Sequence, residues 1–163
     1  MHLDGNKIDR SELYCDTYES PLGLIYPVFK GDDLVAIEFE SPHLRVSPLP
    51  ESFIHELDDY FAGRTQDFRQ RVQLMSGTEF ERSVWLGLLD IPYGETRSYK
   101  WMAQKVGTPK GSRAVGQALS KNPVPIVLPC HRIIEAGGKL GGYTPGAEIK
   151  RRLLQMEFYN REA

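Results

Sequence analysis

The chain has 163 residues, 40% apolar and 26% charged, the make-up of a globular protein with room for one ordinary domain or two small ones. No run approaches the roughly 18 consecutive apolar residues of a membrane span, and Met1 to Arg10 (MHLDGNKIDR) lacks the apolar core of a secretory signal, which sets aside membrane and secreted classes. Two cysteines, Cys15 and Cys130, are too few for a disulfide framework and neither sits in a CxxC pair or a zinc-type cluster, so the expectation is a cytoplasmic protein without metal.

The net charge of −2 conceals an asymmetry. Up to Ser76 the chain holds 7 basic against 14 acidic residues; from Gly77 onward it holds 13 against 8. Arg97, Lys100, Lys105, Lys110, Arg113 and Lys121 follow one another without an intervening acid. Such a stripe fits a phosphate-binding face or, equally, a solvated helix surface.

In chain order, three runs rich in Tyr, Ile, Val and Phe come first: Leu13 to Tyr18, Leu22 to Phe29 and Leu34 to Phe39. Ser20-Pro21 and Gly31-Asp32-Asp33 separate them with turn chemistry, which predicts an antiparallel meander. Pro27 lacks an N–H and marks an edge or a bulge. Phe53, Ile54, Leu57, Tyr60 and Phe61 then recur at helical spacing from Glu51 to Phe61. Residues 1–76 thus read as a small α/β scaffold with an antiparallel sheet and a helix.

Residues 77–163 read as a mostly helical domain, giving an α+β chain overall. Thr78 and Glu81 form a capping box ahead of a helix with Phe80, Val84, Trp85 and Leu88 on one side. Ser98 is an N-cap for a short helix to about Val106, and after Gly107-Thr108-Pro109 a second runs from about Ser112 to Leu119. Two short helices joined by a glycine turn make a helix-turn-helix candidate, on which the basic stripe falls. Asn122-Pro123-Val124-Pro125 forbids helix, and Ile126-Val127-Leu128 reads as a buried strand leading to Pro129, Cys130, His131 and Arg132. Ile133-Ile134, a glycine-rich loop from Gly137 to Gly142, and a helix from about Glu148 to Phe158 close the chain. In that helix Ile149, Leu153 and Met156 are expected to face the core, and Lys150, Arg151 and Arg152 the solvent.

A thiol attacks as thiolate, which nearby positive charge, hydrogen-bond donors or a base favour. Cys130 has such groups within one loop, but neighbours on an extended chain point opposite ways, so coupling to His131 needs a bend at Pro129 or a bridging water. Glu157 is the candidate acid to hold the imidazole. Cys15, in an alternating strand, reads as a buried free cysteine. Trp85 and Trp101 read as packing residues, and His2, His43 and His55 have no companions for a metal.

The run NPVPIVLPCHRII (Asn122 to Ile134), with SRAVGQAL from Ser112 before it and Gly141-Gly142-Tyr143 after it, resembles the O6-alkylguanine-DNA alkyltransferase family. The likeness covers Phe80 to Glu157; the first half matches only in size and in its strand-then-helix pattern. It implies repair of double-stranded DNA by irreversible transfer of an alkyl group from guanine O6, or thymine O4, to the protein's own cysteine, once per molecule. By resemblance Cys130 is the acceptor, His131 the base acting through water, Glu157 the acid that orients it and Asn122 a brace for the turns between them. Tyr99 would rotate the target phosphate and donate a proton, Arg113 would replace the flipped base, and Ser112, Ala114, Gly116 and Gln117 would complete a minor-groove surface. The carbonyls of Cys130 and Ile133, with Tyr143 and the Thr144 amide, would line the guanine pocket. No cofactor is implied, because the lesion is the donor, and a monomer is expected. Thr144-Pro145 departs from the family's frequent serine and glycine.

Three rivals remain at the level of sequence: a sensor that binds alkylated DNA without repairing it, a redox-responsive helix-turn-helix regulator, and a cysteine hydrolase that turns over.

Overall fold

The computed structural model describes residues 9–162; Met1 to Ile8 of the opening segment, and His2 with them, lie outside the described residues. The chain divides into two compact units, Met1–Ser76 and Gly77–Ala163.

In the first unit β1 (Leu13–Cys15) and β2 (Tyr18–Ser20) both pair antiparallel with the same long strand, β3 (Gly23–Lys30). Their registers, Cys15 to Val28 and Tyr18 to Ile25, leave Pro27 opposite the break at Asp16-Thr17. The residue that cannot donate thus sits where no ladder runs on that side. β4 (Asp33–Glu38) pairs with β3, with a register shift between Val28 and Phe29, next to the proline. β5 (Arg45–Val46) lies parallel to β1. The expected simple meander is therefore corrected: one run splits into two strands, and a parallel strand is added.

The helix predicted by spacing forms as α1 (Glu51–Phe61) and buries Phe53, Leu57 and Tyr60. Phe53 meets Phe29 of the sheet edge-to-face at 5.5 Å, a geometry that the ring quadrupoles favour. Cys15 is buried with Leu13, Val28, Val35 and Ala36, a small apolar core residue with its thiol pushed up by burial.

The second unit opens with α2 (Glu79–Gly87). Its capping box is complete: Glu81 N–H donates to the Thr78 hydroxyl at 3.1 Å and Thr78 N–H to the Glu81 carboxylate at 2.9 Å. β6 (Arg97–Ser98) leads into α3 (Tyr99–Lys105), where the Ser98 hydroxyl accepts the Trp101 N–H at 3.0 Å. Gly107, at φ +79°, makes the turn, and α4 (Ser112–Ser120) follows. The buried Trp85 donates its indole N–H to the Ala118 carbonyl at 2.8 Å, fastening α2 to α4. Beyond the cysteine turn, β7 (Ile133–Ile134) pairs parallel with β6, and α5 (Ala147–Asn160) closes the unit. No helix among the described residues is long and apolar enough to cross a membrane.

Two expectations fail here for clear reasons. Ile126-Val127-Leu128 is buried but forms turns instead of a strand. Pro123, Pro125 and Pro129 remove three donors from the segment, and Ile126 adopts φ +78°, which no ladder accommodates. Lys150 does not face solvent: it is fully buried, because its ammonium is drawn inward by two backbone carbonyls.

Candidate active site

The turns between α4 and the cysteine are held by one side chain. Buried Asn122 donates from Nδ2 to the Leu128 carbonyl at 2.8 Å and accepts the Val124 N–H on Oδ1 at 3.0 Å. It spans in side-chain bonds what the prolines deny to the backbone, and it also hydrogen-bonds the Cys130 thiol. Pro129 bends the chain, and Cys130–Arg132 form a 3-10 turn in which all three side chains are buried.

That turn carries the His131 ring inward, without a direct hydrogen bond to the Cys130 thiol. The fully buried imidazole of His131 reaches Glu157 of α5, with Nε2 and the carboxylate 2.8 Å apart. Glu157 is buried too. Burial alone would raise its carboxyl, but the contact with His131, then that with Arg132, holds it well below the ordinary carboxylate range. An ionised carboxylate only accepts, so the shared proton belongs to Nε2 of the ring. Nδ1 is buried and without a hydrogen-bond partner among the described residues.

Arg132 had no role at the level of sequence. Its Nε donates to Oε1 of Glu157 at 2.8 Å and Nη2 to Oε2 at 3.0 Å, while Nη1 donates to the Ile91 carbonyl at 2.8 Å. The guanidinium also lies over the Tyr93 ring, 5.6 Å from its centroid. The only signal in sequence was its place next to Cys130-His131.

Burial pushes the Cys130 thiol up to about 11, against the Asn122 hydrogen bond and the positive charge of Lys150. The resting group is therefore a thiol, and its proton must leave when sulfur attacks. Lys150 donates to the Ile133 carbonyl at 2.6 Å and to the Gly142 carbonyl at 3.2 Å, tying β7 to the glycine loop. Burial lowers its ammonium to about 8, against the pull of Cys130 and Glu135.

The remaining residues singled out by sequence fall around this centre. Tyr99, at the first position of α3, packs its ring against the glycine loop. A β-carbon on Gly141 would stand 2.5 Å from its hydroxyl, and Gly141 has φ +74°, so glycine is required there. Burial raises the Tyr99 phenol, opposed by a hydrogen bond with the Gly142 backbone. Tyr143 buries its hydroxyl without a partner among the described residues, and that burial, with Cys130 and Glu157 nearby, raises its phenol. Thr144 is exposed, and its hydroxyl donates to the Ser120 carbonyl at the end of α4, 3.2 Å away. The Ile133 carbonyl is engaged by Lys150, and the Cys130 carbonyl accepts the Ile133 N–H; each keeps a second lone pair.

On α4, Val115 and Ala118 are buried while Arg113, Ala114 and Gln117 are exposed on the opposite face; Ser112 and Gly116 lie half-buried between. A β-carbon on Gly116 would meet only the Tyr99 ring, at 3.7 Å, so the protein's own packing does not demand glycine there. Trp101 is half-buried on α3, with Arg97 and Lys105 at 5.7 and 5.5 Å from its ring.

Comparison with known proteins assigns the chain to a family. Residues 79–158 match the model of the 6-O-methylguanine DNA methyltransferase DNA-binding domain, and residues 13–74 that of the same family's ribonuclease-like domain. A methylated-DNA--protein-cysteine methyltransferase of Methanosarcina acetivorans is 40% identical over 89% of this chain and 98% of its own. One from Mycobacterium leprae is 42% identical over 89% and 92%. Among solved structures, Mycobacterium tuberculosis OGT in complex with DNA superposes with a TM-score of 0.85 at 39% identity, over 90% of this chain and 94% of that one. The chain belongs to the 6-O-methylguanine DNA methyltransferase family.

Proposed function

We propose that this protein repairs alkylated DNA by moving the alkyl group of O6-alkylguanine, and secondarily O4-alkylthymine, onto Cys130, once per molecule. The observation that carries the reading is the buried Cys130 turn, in which His131 is held at 2.8 Å by Glu157 and keeps Nδ1 free. A hydrolase requires water to regenerate the nucleophile. A buried thiol with one adjacent base is better suited to a reaction that ends on sulfur.

The reaction is an in-line displacement at the alkyl carbon. The Cys130 proton passes to His131 Nδ1 through a water, the sulfur lone pair forms the S–C bond, and the C–O6 bond breaks with its electron pair going to guanine. A proton from Tyr99 then lets guanine leave neutral. The raised Tyr99 phenol suits a donor that keeps its proton until charge develops beside it.

A stacked base cannot present its O6 substituent to a buried sulfur, so the nucleotide must be extruded, at a cost of a few kcal/mol that damaged pairs lower. Arg113, exposed at the start of α4, fills the gap, while Ser112, Ala114, Gly116 and Gln117 lie against the minor groove, whose contacts are largely indifferent to sequence. The free lone pairs on the Cys130 and Ile133 carbonyls read the guanine amine, with Tyr143 and the Thr144 amide bounding the pocket. The lesion is the alkyl donor, so neither cofactor nor metal takes part, and the protein acts as a monomer in the compartment that holds the DNA.

Mixing the protein with a duplex carrying O6-methylguanine tests this through the protein's mass. The reading requires one methyl on the Cys130 peptide; an unmodified protein that still binds the lesion would make it a sensor.

A further inference from the structure

We propose that Arg132 is a positioning residue for alkyl transfer: by satisfying the Glu157 carboxylate from both sides, it leaves His131 a neutral ring with Nδ1 open to the Cys130 proton. The inference deepens the reading above and depends on it.

A buried carboxylate needs a positive partner. His131 and Arg132 both touch the Glu157 carboxylate, and of these two only Arg132 is a permanent cation. Arg132 contacts both carboxylate oxygens, at 2.8 and 3.0 Å, and is itself fixed by the Ile91 carbonyl and the Tyr93 ring. Glu157 and Arg132 therefore balance without His131, which can begin uncharged, its Nε2–H donated to Glu157. Take away the guanidinium, and the nearest source of positive charge is a second proton on His131. An imidazolium has a proton on each nitrogen and can accept none from sulfur. The same fork also fixes the carboxylate plane, and with it the direction of the imidazole.

The other ionisable groups facing this cluster do not substitute for Arg132. From α5, Lys150 is committed to the Ile133 and Gly142 carbonyls. Cys130 is the proton's source. Tyr93, before β6, and Tyr143, in the glycine loop, are phenols raised chiefly by burial and further by the Glu157 charge, and neither can supply a cation.

The test is single-turnover methyl transfer from an O6-methylguanine duplex, followed from pH 5.5 to 8, for wild type, Arg132→Gln, Arg132→Lys and the double variant Arg132→Gln/Glu157→Gln. Thermal melts establish which variants are folded. Arg132→Gln should be slower by up to about tenfold at the acid end of this range, less so at pH 7, and recover as pH rises, its acid limb displaced upward by about one unit, a tenfold change in proton affinity. Removing the carboxylate as well should return the limb toward wild type, because nothing then draws the extra proton. Arg132→Lys keeps the charge but loses the fork, so its rate should fall with little displacement of the limb; this variant carries the test if Arg132→Gln does not fold. A folded Arg132→Gln that loses the same factor at every pH, a double variant that retains the displaced limb, or an Arg132→Lys with wild-type rate would overturn the role. If wild type itself transfers no methyl, the repair reading fails instead.

Discussion

His131 and Glu157 lie 26 residues apart in sequence and 2.8 Å apart in space, one on the cysteine turn and one on the closing helix, with almost no exposure between them. The pair ties the cysteine turn to the closing helix beside the reactive residue, so it bears on stability and chemistry together.

Glu157→Gln should therefore act on both. It leaves Arg132 buried without its counter-charge, which costs about 3–5 kcal/mol by the usual penalty for breaking a buried pair, read from urea unfolding. The pH dependence has a definite sign. The folded carboxyl lies below its unfolded value of about 4.3, so its contribution is present at neutral pH and lost as pH falls through the folded value. The stability gap between wild type and Glu157→Gln should narrow below about pH 4. A gap that stays constant with pH would mean the carboxylate's charge does not stabilise the fold.

Asn122→Ala removes the brace of the proline turns. Two buried backbone groups, the Leu128 carbonyl and the Val124 N–H, lose their partner. The expected loss is about 2–3 kcal/mol in a thermal or urea melt, with slower labelling of Cys130 in whatever remains folded. Surface-like neutrality, within about 0.5 kcal/mol, would contradict the bracing role.

Gly116→Ala separates internal packing from contact with DNA. The site is a helix interior with room for a methyl at 3.7 Å from Tyr99, so alanine should raise stability by about 0.5–1 kcal/mol. Duplex affinity should fall, since the added methyl intrudes on the proposed DNA face. Unchanged affinity would remove Gly116 from that face.

Arg113→Ala should leave the melting temperature unaltered, because the side chain is exposed. Its effect belongs to binding and extrusion: slower repair in duplex DNA, with a smaller loss on single strands that need no base replacement. Equal losses on both substrates would assign Arg113 to phosphate contact alone.

Gly141→Ala should destabilise the loop and move Tyr99, since the new carbon would sit 2.5 Å from the phenol at a backbone angle of φ +74°. Repair should slow markedly, as seen in transfer kinetics, while binding of undamaged duplex stays near wild type.

Local chemistry made much of the fold legible. The Thr78–Glu81 capping box, the Ser98 cap and the Glu51–Phe61 periodicity are short-range signals, and each yields the helix it implies. Strand partners are not short-range, which is why the splitting of β1 from β2 and the parallel β5 were not foreseen. Ile126 to Leu128 reads as a strand because burial and apolarity are shared by strands and buried turns; the three prolines, which forbid helix, remove ladder donors as well.

At the site, nucleophile chemistry and then resemblance named Cys130, His131 and Glu157, and the fold brings the last two together. Arg132 and Lys150 escaped for a common reason. Lys150 read as solvated among its charged neighbours and Arg132 carried no reading, because only the carboxylate of Glu157 and the carbonyls of Ile133 and Gly142, distant in sequence or on the backbone, reveal what draws them inward.

The most direct test of self-alkylation is the intact and peptide mass of the protein after mixing with an O6-methylguanine duplex, with Cys130→Ser in parallel. Repair on the protein's own sulfur predicts one methyl per molecule on the Cys130 peptide, no further gain with excess DNA, and none in the variant. A methyl elsewhere, more than one per molecule, or lesion loss without protein modification would contradict it.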